Sequence, residues 1–135
     1  FVGLGAGPDG AHIAYYGERQ NLFPNTSRIS LSRDEAERRN AKRAYSLGAD
    51  SLKLFDQITV TVKEARKAES MVAGFEDALR PGPAKTGLGW MIRNCSERVH
   101  IISDIDAASG LIKSPYLRNR LHSLACTSIK VENYY

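Results

Sequence analysis

The residues able to do chemistry in this chain are few and widely spaced. They are three histidines (His12, His100 and His122), two cysteines (Cys95 and Cys126) and a scatter of carboxylates and arginines. A metal centre needs at least two histidines or cysteines at ligand spacing with further support. Cys95 and His100 stand five apart in what reads as a helix, with Cys95 on the apolar side and His100 on the polar one. Neither a metal site nor a Cys–His nucleophile pair follows from that arrangement. Ribonuclease-like chemistry calls for a general base, a general acid and a cation for phosphate. His12, Glu18, Arg19, His100, Arg118 and His122 supply the types, and Arg118 and His122 share a helix face at i, i+4. No spacing fixes them as a set, so no catalytic, metal-ligating or cofactor-binding residue is assigned, and no cofactor is expected.

Two stretches have the outline of ligand-binding loops. Gly3-Leu4-Gly5-Ala6-Gly7-Pro8-Asp9-Gly10 is glycine-rich, but a nucleotide-binding loop needs a strand before it and a helix after it. Only Phe1 and Val2 precede it, and Pro8 breaks the spacing, so residues 1–10 read as an arm. Lys85-Thr86 lacks the glycine spacing of a Walker loop.

Binding residues are easier to name. Arg38, Arg39, Lys42 and Arg43 place two pairs of cations at i, i+4 on a helix, where they can meet phosphate or an acidic partner. With Arg28 they are the nucleic-acid or partner contact candidates. Arg28 to Glu35 followed by a helix resembles a ribbon-helix-helix unit, whose alternate strand residues enter the major groove. It departs from that unit at Arg39 and Asn40, where a large apolar residue belongs. Tyr134 and Tyr135, aromatics near a chain end, are candidate anchors for a partner's groove.

The elements that must position these residues are mainly helical. Arg33 to Leu47 favours helix, with acids in its first turns and Gly48 placed to end it. Ser51 to Leu79 carries a heptad stripe: Ile58, Ala65, Val72 and Leu79 on one seam, Leu54, Ala68 and Phe75 on the other, with Phe55 and Val62 widening it. Within it, Ile58-Thr59-Val60-Thr61-Val62 is β-branched throughout and alternates apolar with hydroxyl, which is the pattern of a half-buried strand. Helix over the whole stretch is preferred because the stripe keeps register on both sides. Leu88, Cys95, Val99, Ile102 and Ile105 recur at helical spacing up to Ser109-Gly110. Ser114-Pro115 is an N-cap followed by proline at the first helical position.

The expected fold is therefore mainly α, a four-helix bundle-like domain with helices at 33–47, 51–79, 88–108 and 115–129. Residues 1–32 form an N-terminal arm with a possible short hairpin, 33–130 the helical domain and 131–135 a tail. The alternative is a small α+β domain in which 57–63 is a strand joined by 12–16, 28–32 and 99–103.

The chain has 135 residues, 42% hydrophobic and 25% charged, enough for one core. A net charge of +4 is modest for a nucleic-acid binder. There is no run of apolar residues long enough to span a membrane, so a soluble protein is expected. Phe1 in place of methionine fits either removal of a targeting segment after import or secretion or a fragment of a longer chain, and leaves the compartment open. Both cysteines sit in apolar patterns and are expected buried and reduced. With no catalytic constellation, the expected function is a non-catalytic accessory or structural subunit. It would dock through its termini onto a larger assembly, such as an extrinsic subunit of a membrane complex. A basic nucleic-acid-binding protein and a small nuclease or toxin domain are the alternatives.

Overall fold

The structure, a computed structural model, describes residues 2–5, 20–23, 26–30, 33–47, 49–121 and 128–131. In chain order come β1 (Val2–Gly5), β2 (Gln20–Phe23), β3 (Thr26–Ser30), α1 (Arg33–Arg39) and β4 (Arg43–Leu47). A 3-10 turn over Ala49–Leu54 leads to β5 (Ile58–Val62), α2 (Ala68–Leu79) and α3 (Gly87–Cys95). Then follow β6 (Val99–Ser103), α4 (Ile105–Lys113), α5 (Pro115–Leu121) and β7 (Ser128–Val131).

Four of these strands form a parallel sheet in the order β1-β5-β6-β7. Val60 stands at its centre, paired with Leu4 on one side and Ile101 on the other. Between β1 and β5 the described residues include a separate antiparallel sheet, β2-β3-β4. Each crossover from β5 to β6 and from β6 to β7 moves one place in the same direction. Right-handed crossovers that step the same way lay their helices on one face. The burial agrees: Ile58, Val60 and Val62 alternate with Thr59 and Thr61, and join Val99 and Ile101 in one core with Met71, Phe75, Met91, Ile92, Leu111 and Leu117. On the opposite face Thr59 is buried, Thr61 exposed, and His100 and Ile102 half-buried.

Helical residues still outnumber strand residues, but the chain is not a pure helical bundle. The expected helix over 51–79 is replaced by a 3-10 turn, β5 and the shorter α2. Five successive β-branched residues each lose side-chain freedom in a helix, and in a central parallel strand each finds neighbours on both sides. The stripe was a coincidence of periods: its member Leu54 is 70% exposed, whereas Leu52 is wholly buried. Arg98 holds that turn in place by donating to the carbonyls of Lys53 and Phe55. The expected helix over 88–108 is likewise divided among α3, β6 and α4. Val99, Ile102 and Ile105 satisfy helical spacing, yet Val99, Ile101 and Ser103 are the inward residues of a strand.

The other departures have local causes. The helix from Arg33 stops at Arg39, because Asn40 adopts a left-handed conformation (φ 48°). Asn40 N donates to Glu37 O and Ala41 N to Ala36 O, a Schellman closure with asparagine in the place usually taken by glycine. Residues 43–47 then pair with β3 instead of continuing the helix to Leu47. The last expected helix, 115–129, keeps its Ser114 cap (Leu117 N to Ser114 Oγ, 3.2 Å) but gives way to β7 from Ser128. Val2–Gly5, read as part of an arm, is a sheet strand. Of the strands in the α+β alternative, 57–63 and 99–103 pair directly, 28–32 overlaps β3 of the other sheet, and 12–16 lies outside the described residues. None of the described helices is long and apolar enough to cross a membrane.

A buried junction locks α2 to α3. Asp77, 4% exposed, accepts from Lys85 N (2.9 Å), Thr86 N (2.8 Å) and Thr86 Oγ1 (2.8 Å). Thr86 Oγ1 in turn accepts from Gly89 N and caps α3. A Cβ on Gly89 would meet Asp77 Oδ2 at 2.3 Å, so only glycine lets the two helices approach so closely. Arg93 closes the other side, donating to Ala78 O (3.1 Å) and to the carbonyls of Asp77, Arg80 and Gly82. These are the last carbonyls of α2 and of the turn after it, groups that a helix end leaves without partners.

Candidate functional site at the carboxyl edge of the parallel sheet

In α/β sheets of this kind, ligands are taken at the carboxyl ends of the parallel strands, where the loops turn into helices. Here that edge is formed by Gly5 of β1, Val62 of β5, Ser103 of β6 and Val131 of β7, with the turns that follow β5 and β6. The turn after β5 reads Lys63-Glu64-Ala65-Arg66-Lys67 and enters α2. Lys63, Glu64 and Arg66 are exposed and Lys67 is half-buried. Three cations within five residues thus stand before α2, joined to it by a 3-10 turn in which Lys67 N donates to Glu64 O and Ala68 N to Ala65 O.

Glu64 sets the geometry of this turn. Its backbone lies at φ 79°, ψ 141°, a region that side chains other than glycine's rarely enter. The conformation is pinned from the next strand: Glu64 N donates to Asp104 Oδ2 at 2.9 Å. The other oxygen of Asp104 accepts from Ala107 N at 2.8 Å and caps α4. Asp104 N completes the link by donating to Val62 O. The hydrogen bonds from Ala107 and Glu64 hold the Asp104 carboxyl below its ordinary value, against a small opposing effect of burial, and the charge of Lys63 adds to them. One carboxylate thereby fixes the turn after β5 against the turn after β6. The Glu64 side chain folds back on the same loop, its Oε2 2.5 Å from Arg66 Nε.

The described residues among those singled out from the sequence fall elsewhere. Arg38 and Arg39 end α1 and are exposed, Lys42 follows in the turn, and Arg43 opens β4 opposite Ser30 of β3. The two i, i+4 pairs therefore do not share a helix face, because the helix ends before Lys42. Arg28 lies in β3, paired with Tyr45. Tyr134, Tyr135, His12, Glu18, Arg19, His122 and Cys126 lie outside the described residues. His100 sits within β6 beside Thr59, away from the carboxyl edge. Cys95 is a free thiol in the core, where burial pushes its pKa up, the charges of Arg98 and Lys53 opposing it. Among the described residues no cluster of three or more His, Cys, Asp or Glu is placed to hold a metal ion. The Lys63–Lys67 turn is hidden in the sequence because the heptad stripe absorbs it into a long helix. Its signal was present: three cations directly after a β-branched run.

No protein-family model matches the sequence, and no curated protein matches it. Among solved structures, the chain is similar to a monomeric glucosamine-6-phosphate deaminase described as a missing link of the NagB superfamily. The TM-score is 0.61 over 81% of this chain, at 18% identity. That likeness shows the fold alone. The chain spans 47% of the length of that deaminase.

Proposed function

We propose that this chain carries part of a sugar-phosphate site and that its substrate class is a phosphorylated amino sugar, from which the amine is released. The observation that carries this reading is the cationic Lys63–Lys67 turn at the carboxyl edge of a parallel sheet. That sheet belongs to a fold shared with an enzyme whose name specifies such a substrate. Lys63, Arg66 and Lys67 are the groups for the phosphate. Removing an amine from a sugar requires protons to be moved on and off carbon, nitrogen and oxygen, so a base and an acid are needed near the sugar.

The test is ammonia release from glucosamine-6-phosphate by the purified protein, with Lys67→Ala and Arg66→Ala as variants. The expected result is turnover that each variant weakens through KM. Binding of neither glucosamine-6-phosphate nor inorganic phosphate would refute the reading. Retrieval of a stable protein or nucleic-acid partner in its place would restore the accessory-subunit or nucleic-acid-binding function.

A further inference from the structure

We infer that Glu64 is a specificity-determining residue of the Lys63–Lys67 turn, acting as a built-in anion that competes with a bound phosphate for Arg66. The inference rests on the sugar-phosphate reading of this turn and goes one step further into it.

Three observations on Glu64 converge. Its backbone is held at φ 79° by the hydrogen bond to Asp104, so the turn would accept glycine more readily than glutamate. Its carboxylate is on Arg66 at 2.5 Å, and an arginine engaged by a carboxylate presents the same fork that would grip phosphate. Both side chains are largely exposed, 74% for Arg66 and 61% for Glu64, so the pair is weak and open to exchange. A residue that is conformationally unfavourable, adds nothing to the core and neutralises one of three cations has its effect on what the turn binds. With the carboxylate in place, an incoming phosphate meets a smaller net positive charge and must displace Glu64 from Arg66. The turn is thereby tuned toward ligands that bring a cation of their own near Glu64, as an amino sugar does, and away from small dianions.

The experiment is a titration of the protein with inorganic phosphate, followed by NMR or calorimetry, for wild type, Glu64→Gln, Arg66→Ala and the double variant. An exposed ion pair that must break before phosphate can engage Arg66 lowers phosphate affinity by up to roughly fourfold. Glu64→Gln should therefore bind inorganic phosphate roughly fourfold more tightly than wild type. That gain should shrink when Arg66 is already alanine, a coupling that a merely structural role would not produce. Binding by wild type with unchanged affinity in Glu64→Gln overturns this inference alone, and so does a gain that survives intact in Arg66→Ala. Absence of phosphate binding in all four proteins removes the site and this inference with it.

Discussion

The junction between α2 and α3 makes a quantitative test of the fold. Asp77 is buried, and burial by itself would push its carboxyl pKa upward. The hydrogen bonds from the Thr86 amide, the Thr86 hydroxyl and the Lys85 amide, with the charge of Arg93, outweigh that effect and leave it below the ordinary value. Replacing Asp77 by asparagine keeps one acceptor but removes the charge, and turns an amide NH2 toward the Lys85 N–H. A hydrogen bond to a charged group contributes about 1.5–3 kcal/mol, against about 1 for a neutral one. The three donors are partly reached by water, so the expected cost of Asp77→Asn is about 2 kcal/mol, or roughly 8 °C in Tm for a domain of this size. The pH dependence has a fixed sign. A carboxyl depressed in the folded state contributes all its stabilisation above its unfolded pKa, near 3.9, and loses it as pH falls through the lower folded value. Urea unfolding followed by the fluorescence of Trp90, the sole tryptophan, measures both effects. At pH 7 the variant should be the weaker protein, and between pH 5 and pH 2 its stability should change less than that of wild type. A Glu76→Gln control at the neighbouring position should leave that pH dependence in place. If Asp77→Asn lies within 0.5 kcal/mol of wild type at pH 7, the junction does not hold the helices as described.

Other perturbations have equally definite outcomes. Gly89→Ala drives a methyl group into Asp77 and Thr86 and should cost about 3 kcal/mol by thermal unfolding, whereas exposed Ala73→Gly should cost about 1. Glu64→Gly relieves the strained backbone and should raise stability by about 1 kcal/mol in urea, the lost exposed ion pair counting for little. Asp104→Ala removes the α4 cap and the anchor of the Glu64 amide together. It should cost about 2 kcal/mol and also weaken phosphate binding, although Asp104 is not itself a phosphate ligand. Ile101→Ala opens a cavity in the sheet centre and should cost about 3–4 kcal/mol.

The parts of this fold legible in the sequence were those set by local chemistry. Ser114-Pro115 starts a helix because a hydroxyl cap and a proline need only their immediate neighbours. The alternation in Ile58–Val62 was visible too, but a longer helical stripe overlay it. What separated the two was the presence of a partner strand on each side, Leu4 through β1 and Ile101 through β6. Val99–Ser103 was hidden for the same reason: residues three and four apart serve a helix, and residues two apart serve a strand, and this segment satisfies both. Gly48 draws the expected helix end past Asn40, although asparagine is the next residue to tolerate a left-handed backbone. The candidate site was legible only as composition. Its geometry depends on Glu64 reaching Asp104 across 40 positions of sequence, a contact that no local pattern encodes.

The position of the β2–β4 unit also governs how the parallel sheet assembles. β1 must pair with β5 across all of that inserted chain, and parallel pairing over long separations is slow because loop closure comes before any reward. The inserted strands are antiparallel neighbours that pair among themselves, so the unit can form first and shorten the loop that β1 has to close. β5 and β6, joined through α2 and α3, need no such help. The N-terminal strand is then the last to join and the first to leave. Amide hydrogens bonded between β1 and β5 should exchange with solvent sooner than those between β5 and β6, by local opening of β1 well below the global unfolding free energy.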